Sequence, residues 1–255
     1  MRMKAVIFAG GLGTRLAEET GSKPKPMVEA SGRPLIWHIM NNYARAGITE
    51  FVVLAGYRGD VIREYFANYW LHETDVTFDL ASSSVEVREK RGPSWTVTVL
   101  DTGQNTMTAG RLARARDYLD GTFFLTYGDG VSDVDVKQTL AAHRSDSRNL
   151  VTLTAMRPPS RFGALSVDAG KVVSFQEKPL GEGPWVNGGY FVVEPEVLDL
   201  IAGDESIFEQ DVLPFLASSK RLGCYLHDGI FQPVDTIRDL AALTELIERG
   251  TFPWT

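Results

Sequence analysis

The chain has one cysteine, Cys224, in 255 residues, which permits no intrachain disulfide and no thiolate-built metal site. Cys224 sits in an apolar stretch and reads as inert core. The four histidines, His38, His72, His143 and His227, fall at no metal-ligand spacing and suggest no serine–histidine–aspartate arrangement. No apolar run approaches the roughly 18 residues a membrane-crossing helix needs, so no membrane partner is expected. No secretory leader pattern is visible, and a cytoplasmic location is the expectation. Positive charge is scarce too: 26 Lys and Arg against 33 Asp and Glu leave a formal net charge of −7. Non-specific nucleic-acid binding relies on basic patches, so no nucleic-acid partner is expected. Phosphate ligands stay compatible, because a local Arg/Lys cluster or Mg²⁺ can reverse the field within one cleft. Repeats and low-complexity linkers are also absent.

What is present is an ordinary globular composition, 44% hydrophobic and 23% charged, long enough to bury a substantial core. No composition shift divides the chain, so residues 1–255 are expected to form a single domain. The first half alternates strand-like and helix-like segments. Short apolar runs at 5–9, 51–54 and 122–127 read as buried strands, and 34–45, 60–69 and 107–119 as amphipathic helices. Tyr65, Phe66 and Tyr69 fall at helical spacing and read as core. Such alternation predicts an α/β fold with a mostly parallel, Rossmann-like central sheet flanked by helices. The second half is richer in short strands, at 151–155, 164–167, 172–176, 190–193 and 224–227. Helices are predicted there near 195–201, 209–217 and 236–249.

Directly after the first strand comes Ala9-Gly10-Gly11-Leu12-Gly13-Thr14-Arg15. Glycines let a backbone turn sharply and approach a ligand, and converging N–H groups can hold an anion. Thr14 adds a hydroxyl and Arg15 a planar cation suited to phosphate. The dinucleotide fingerprint lacks its third glycine here, and no Gly-Lys-Ser/Thr ending marks a P-loop. Soon after, Lys23-Pro24-Lys25-Pro26-Met27 holds Lys25 on a stiff, extended segment, where its ammonium can stabilise charge developing at phosphorus. Asp129 follows a predicted strand between Gly128 and Gly130, and Asp235 precedes the last predicted helix. Each carboxylate has two readings. Asp129 is a turn residue or a Mg²⁺ ligand, and Asp235 a helix cap or its partner ligand.

The paired stretches G-G-x-G-T-R-L and K-P-K-P-M resemble the signature of sugar-phosphate nucleotidylyltransferases. Further tracts narrow the resemblance to the glucose-1-phosphate cytidylyltransferases: Asp101-Thr102-Gly103, Gly110-Arg111-Leu112, Tyr127-Gly128-Asp129-Gly130-Val131, Phe175-Gln176-Glu177-Lys178-Pro179 and Asn187-Gly188-Gly189. Ala109, Phe231 and the stretch around Phe208-Glu209 depart from the family pattern along the nucleotide and sugar walls. The resemblance implies transfer of a cytidylyl group from CTP to a sugar 1-phosphate, foremost α-D-glucose 1-phosphate, giving a CDP-sugar and pyrophosphate. It implies Mg²⁺ on Asp129 and Asp235, catalytic roles for Arg15 and Lys25, and a homo-oligomer. Ala9, Gly10, Gly11, Gly13, Thr14, Gly128 and Arg111 would bind the nucleotide, with Arg111 choosing cytosine and Gly110 leaving room beside it. Glu177, Lys178, Asn187 and Gly188 would hold the sugar phosphate in a β-rich second half. Two alternatives remain at this point: a uridylyl- or thymidylyltransferase, and a non-catalytic nucleotide- or sugar-phosphate-sensing subunit.

Overall fold

The computed structural model describes residues 3–11, 13, 16, 21–87, 92–157, 164–168, 171–176 and 184–254, with the backbone alone at 72, 164–168, 175 and 176. In chain order the first half comprises β1 (Lys4–Ala9), a 3₁₀ turn (Lys25–Met27), β2 (Glu29–Ala30), β3 (Arg33–Pro34), α1 (Leu35–Arg45), β4 (Glu50–Ala55) and α2 (Gly59–Ala67). Next come β5 (Val76–Asp79), β6 (Ser84–Val87), β7 (Thr96–Asp101), α3 (Thr108–Arg114), β8 (Phe123–Tyr127), β9 (Gly130–Ser132) and α4 (Val136–Arg144). The second half contributes β10 (Val151–Met156), β11 (Ala164–Asp168), β12 (Lys171–Gln176), β13 (Val186–Val193), α5 (Leu213–Ser218), β14 (Leu222–His227), β15 (Phe231–Pro233) and α6 (Ile237–Glu248).

Seven of these strands form one sheet in the order β14-β10-β13-β8-β1-β4-β7. Neighbours run parallel except where β13 pairs antiparallel with both β8 and β10. The expected mostly parallel sheet is therefore present. β1 lies in its interior, between β8 and β4, and is apolar at every position after Lys4, as a strand covered on both faces must be. Ala5, Ile7 and Ala9 point into one core with α1 and Phe51, Phe124 and Tyr190. Val6 and Phe8 point into the other, with Leu112, Phe191 and Phe208. Burying a side chain the size of Ile7 contributes roughly 1.5–3 kcal/mol, so the strand that carries the glycine loop is among the best anchored in the molecule.

Three readings change. Cys224 is exposed, because β14 is an edge strand with alternate residues facing out. Tyr65, Phe66 and Tyr69 are half-buried and form an aromatic cluster with Trp37 and Trp95 at the rim of the core. The helix expected over 209–217 splits into a π-helical turn (Phe208–Val212) and α5, because Pro214 has no N–H to continue the α ladder.

Candidate active site

The carboxyl ends of β1, β4, β7 and β8 lie along one edge of the sheet, where parallel α/β sheets bind ligands. β13 runs the other way, so its amino end, with Asn187 and Gly188, arrives at that same edge. Antiparallel insertion is thus what joins the two halves of the site.

Gly128, just past β8, donates its N–H to Phe8 O at 3.0 Å. A Cβ there would lie 2.6 Å from Pro26 Cγ and 2.9 Å from Phe8 O, so only glycine lets the Lys-Pro segment pack on the strand ends. That segment is not extended around Lys25 as the prolines suggested; it closes into the 3₁₀ turn, with Val28 N donating to Lys25 O. The turn aims the Lys25 side chain inward, with its Nζ 2.7 Å from Asp129 Oδ2 and 2.7 Å from Asp235 Oδ1. The lysine side chain is only 10% exposed, whereas the two carboxylates are 38% and 24% exposed. The cation is buried beneath the pair and the carboxylates stay accessible.

The two aspartates meet through a short ladder. β9 follows Asp129, β15 precedes Val234 and Asp235, and the two strands pair antiparallel with Gly130 opposite Pro233 and Ser132 opposite Phe231. Val234 N donates to Asp129 O at 2.9 Å. The capping alternative for Asp235 does not hold: α6 is capped by Thr236, whose Oγ1 accepts from Asp239 N while Asp239 Oδ2 accepts from Thr236 N at 2.9 Å. This capping box leaves the Asp235 carboxylate to Lys25.

Hard oxygen donors in this arrangement fit Mg²⁺, which takes one or two protein carboxylates and fills the remaining positions with phosphate and water. Among the described residues no group of three or more His, Cys, Asp or Glu side chains could hold a metal ion.

Beside Lys25 and Asp129 opens a cleft of about 330 Å³, lined also by Ala9, Gly10, Gly11, Gly13, Thr106, Thr108, Arg111, Tyr127 and Gly128. Arg111 is buried at its wall, and both of its terminal nitrogens are taken up by protein oxygens. Nη1 donates toward Gly103 O at 2.6 Å, Thr102 Oγ1 at 2.8 Å and Ala55 O at 3.3 Å, and Nη2 toward Gly10 O at 3.1 Å and Gln104 O at 3.2 Å. A Cβ on Gly10 would fall 2.2 Å from Arg111 Cζ, so the bare loop glycine is what admits the guanidinium. Burial lowers the Arg111 pKa, with Arg114 adding repulsion and Asp101 partly offsetting it. Arg111 ties the glycine loop to the ends of β4 and β7. Gly110 leaves room not for a base but for a backbone, since a Cβ there would meet Asp204 O at 2.5 Å.

A smaller cavity of about 70 Å³ is lined by Tyr127, Asp129, Gly130, Asn187, Gly188 and Phe231. Tyr127 and Asp129 border both cavities. Sequence reasoning passed over Tyr127 and Thr108 as site residues, and it put the stretch around Phe208-Glu209 at the nucleotide and sugar walls without a partner for Glu209. The Tyr127 hydroxyl and Thr108 Oγ1 both donate to the Glu209 carboxylate, which holds the wall between the cavities. Tyr127 opens a recognised tract, but Glu209 is 101 residues from Thr108 and no local pattern announces the pairing. Thr14, Arg15, Glu177 and Lys178 lie outside the described residues.

A mostly parallel sheet with a glycine loop, a buried lysine and paired aspartates at its strand ends defines a nucleotide-binding α/β protein of the nucleotidyltransferase class. Residues 4–245 match the family model described as nucleotidyl transferase, and the chain belongs to that family. It is 53% identical over 254 residues to the glucose-1-phosphate cytidylyltransferase of Salmonella typhi, covering 99% of this chain and 98% of that protein. The enzyme of the same name from Salmonella typhimurium matches equally, at 53% with the same coverage. A UTP-bound UGPase from Acinetobacter baumannii shares the fold, with a TM-score of 0.69 at 18% identity over 99% of this chain and 95% of that one.

Proposed function

We propose that this nucleotidyltransferase moves the cytidylyl group of CTP onto α-D-glucose 1-phosphate, releasing pyrophosphate and giving CDP-glucose. The observation that carries the reading is Lys25 seated between Asp129 and Asp235 at the floor of the glycine-lined cleft, in a chain matching the Salmonella cytidylyltransferases end to end. A sugar-phosphate oxygen attacks the α-phosphorus of CTP. The new P–O bond forms as the bond to the β-phosphate oxygen breaks, and that bond's electrons leave with pyrophosphate. No general base is needed, because the attacking oxygen is already ionised; positioning and charge neutralisation suffice.

In this scheme the Ala9–Gly13 backbone, Thr14 and Gly128 hold the nucleotide, with Arg111 fixing the loop on the base side. Arg15 takes the departing pyrophosphate, and Lys25 neutralises charge at the α-phosphoryl group. Glu177, Lys178, Asn187 and Gly188 take the sugar phosphate. Asp129 and Asp235 would hold Mg²⁺, which when bound supplies charge neutralisation across the phosphates. We place the reaction in the cytoplasm and the chain in a homo-oligomer. Among the described residues no helix is long and apolar enough to cross a membrane, which is compatible with that location.

A pyrophosphate-release assay across CTP, UTP, dTTP, ATP and GTP with several sugar 1-phosphates tests the proposal. The highest kcat/KM is expected for CTP with glucose 1-phosphate. Preference for UTP or dTTP would move the chain to a neighbouring specificity, and no turnover with any pair would favour a sensing role.

A further inference from the structure

The ladder that spaces Asp129 and Asp235 is closed at its far end by a second contact between a carboxylate and a basic side chain, half-buried Asp133 and buried His227. Asp133 follows β9 directly, and its Oδ1 accepts from Ile230 N at 2.7 Å and lies 2.9 Å from His227 Nε2. Ser132 Oγ donates to Ile230 O at 2.7 Å, fastening the same end. His227 is the last residue of β14 and pairs in register with Met156 of β10, so it belongs to the main sheet. The far end of the two-stranded ribbon is thereby pinned to the sheet, while its near end carries both aspartates. Asp129 and Asp133 flank the three-residue β9, one at each end. Three residue pairs join β9 to β15, a ribbon too short to hold its register by itself.

We propose that Asp133 and His227 are positioning residues for the metal-binding aspartates: their contact fixes β9 against β15 and so sets the Asp129–Asp235 separation. The inference rests on the metal reading of those two aspartates. Gly229 supports it independently. A Cβ at that position would lie 2.5 Å from Asp133 Oδ1 and 2.6 Å from His227 Nε2, so the turn between β14 and β15 is shaped around the pair. Burial raises the Asp133 pKa, but the hydrogen bonds from His227 and the Ile230 N–H outweigh it and hold the carboxyl below the usual range. The carboxylate is thus ready to accept both bonds.

The test is Mn²⁺ binding by the full chain in the presence of CTP, followed by electron paramagnetic resonance, with melting temperature measured alongside. His227→Leu removes the donor, His227→Gln keeps an N–H, and Gly229→Ala drives a methyl group into the contact while leaving both side chains in place. His227→Leu and Gly229→Ala are expected to weaken Mn²⁺ binding about tenfold or more, the scale of outer partners of metal ligands, with His227→Gln near wild type. Folded His227→Leu and Gly229→Ala proteins with unchanged Mn²⁺ affinity would overturn the inference, even if they melt earlier, since that pattern marks a merely structural contact. Should His227→Leu not fold, Gly229→Ala decides alone. Asp129→Asn and Asp235→Asn separate the two levels: unchanged binding in both removes the metal reading and the inference with it. Loss in both with no effect at the distal pair removes the inference alone.

Discussion

At the scale of single residues the sequence singled out Lys25, Asp129 and Asp235, which the structure brings together, but not the contacts among them. Lys25 was legible because prolines flank it, and Asp129 and Asp235 because they follow or precede strong element boundaries. That the lysine bonds both carboxylates was not legible, since the contacts span 104 and 210 residues. The geometry sharpens what a substitution should do. Lys25→Ala removes the donor at the α-phosphoryl group and should lower kcat by about 10²–10³-fold with a smaller change in KM. It also leaves two carboxylates facing each other without their cation, so Mn²⁺ affinity should tighten as turnover falls. Steady-state kinetics beside a Mn²⁺ titration checks both arms; intact kcat with raised KM would reassign Lys25 to ground-state binding. Arg111 was expected to read cytosine, yet its terminal nitrogens already serve Gly10, Ala55, Thr102, Gly103 and Gln104. A lysine cannot span those acceptors, and each one stranded costs about 1–3 kcal/mol. Arg111→Lys should therefore weaken kcat/KM for CTP and UTP alike, by about tenfold or more. A collapse confined to CTP would assign base reading to the guanidinium itself.

Among the elements, hydrophobic periodicity located most strands and helices, because each buries one patterned face or two apolar ones. The short ones escaped. β9 and β15 are three residues each, too brief for any period, although they create the aspartate pair. The helix predicted over 107–119 stops at Arg114 and continues as a 3₁₀ turn, Arg116–Tyr118. Helix α1 was read well, but not the role of its His38. That side chain is buried, with Nε2 3.0 Å from Ala30 O and Nδ1 accepting from Trp254 Nε1 at 3.4 Å. One imidazole thus joins α1 to β2 and to the chain's last residues, in a neutral form that donates at Nε2 and accepts at Nδ1. Burial lowers the His38 pKa, with nearby Arg33 acting in the same sense and backbone bonds opposing. The unfolded chain therefore takes up the proton first as pH falls below the unfolded value of about 6.5, and stability drops in that range. Calorimetry should show a melting temperature falling from pH 7.5 to 5.5, with a shallower fall in His38→Gln. Identical slopes would clear His38 of the effect.

For the whole molecule, strand–helix alternation announced a parallel sheet, but not that β13 would enter it antiparallel and carry Asn187 and Gly188 to the edge that bears the glycine loop. Strand direction depends on which distant strands pair, and local sequence does not encode that. Of the two-stranded ribbons outside the main sheet, one carries an exposed apolar face. β5 and β6 pair only with each other, Phe78 opposite Val85 and Val76 opposite Val87, which puts these four apolar side chains on one face and Thr77 and Glu86 on the other. Phe78 is 57% exposed, Val85 51%, and Leu80 at the tip 89%. An isolated two-stranded ribbon is marginal in water, and a clustered apolar face marks an interaction site. The homo-oligomer proposed above gives that face an occupant, a second copy of the same chain. Replacing Phe78 and Leu80 with serine and aspartate should then shift light-scattering mass toward the 28.2 kDa of one chain, with the sheet's circular dichroism unchanged. Retained oligomer mass in the double variant would place the contact elsewhere on the surface. A wild-type protein that runs as a monomer at micromolar concentration would remove the homo-oligomer itself.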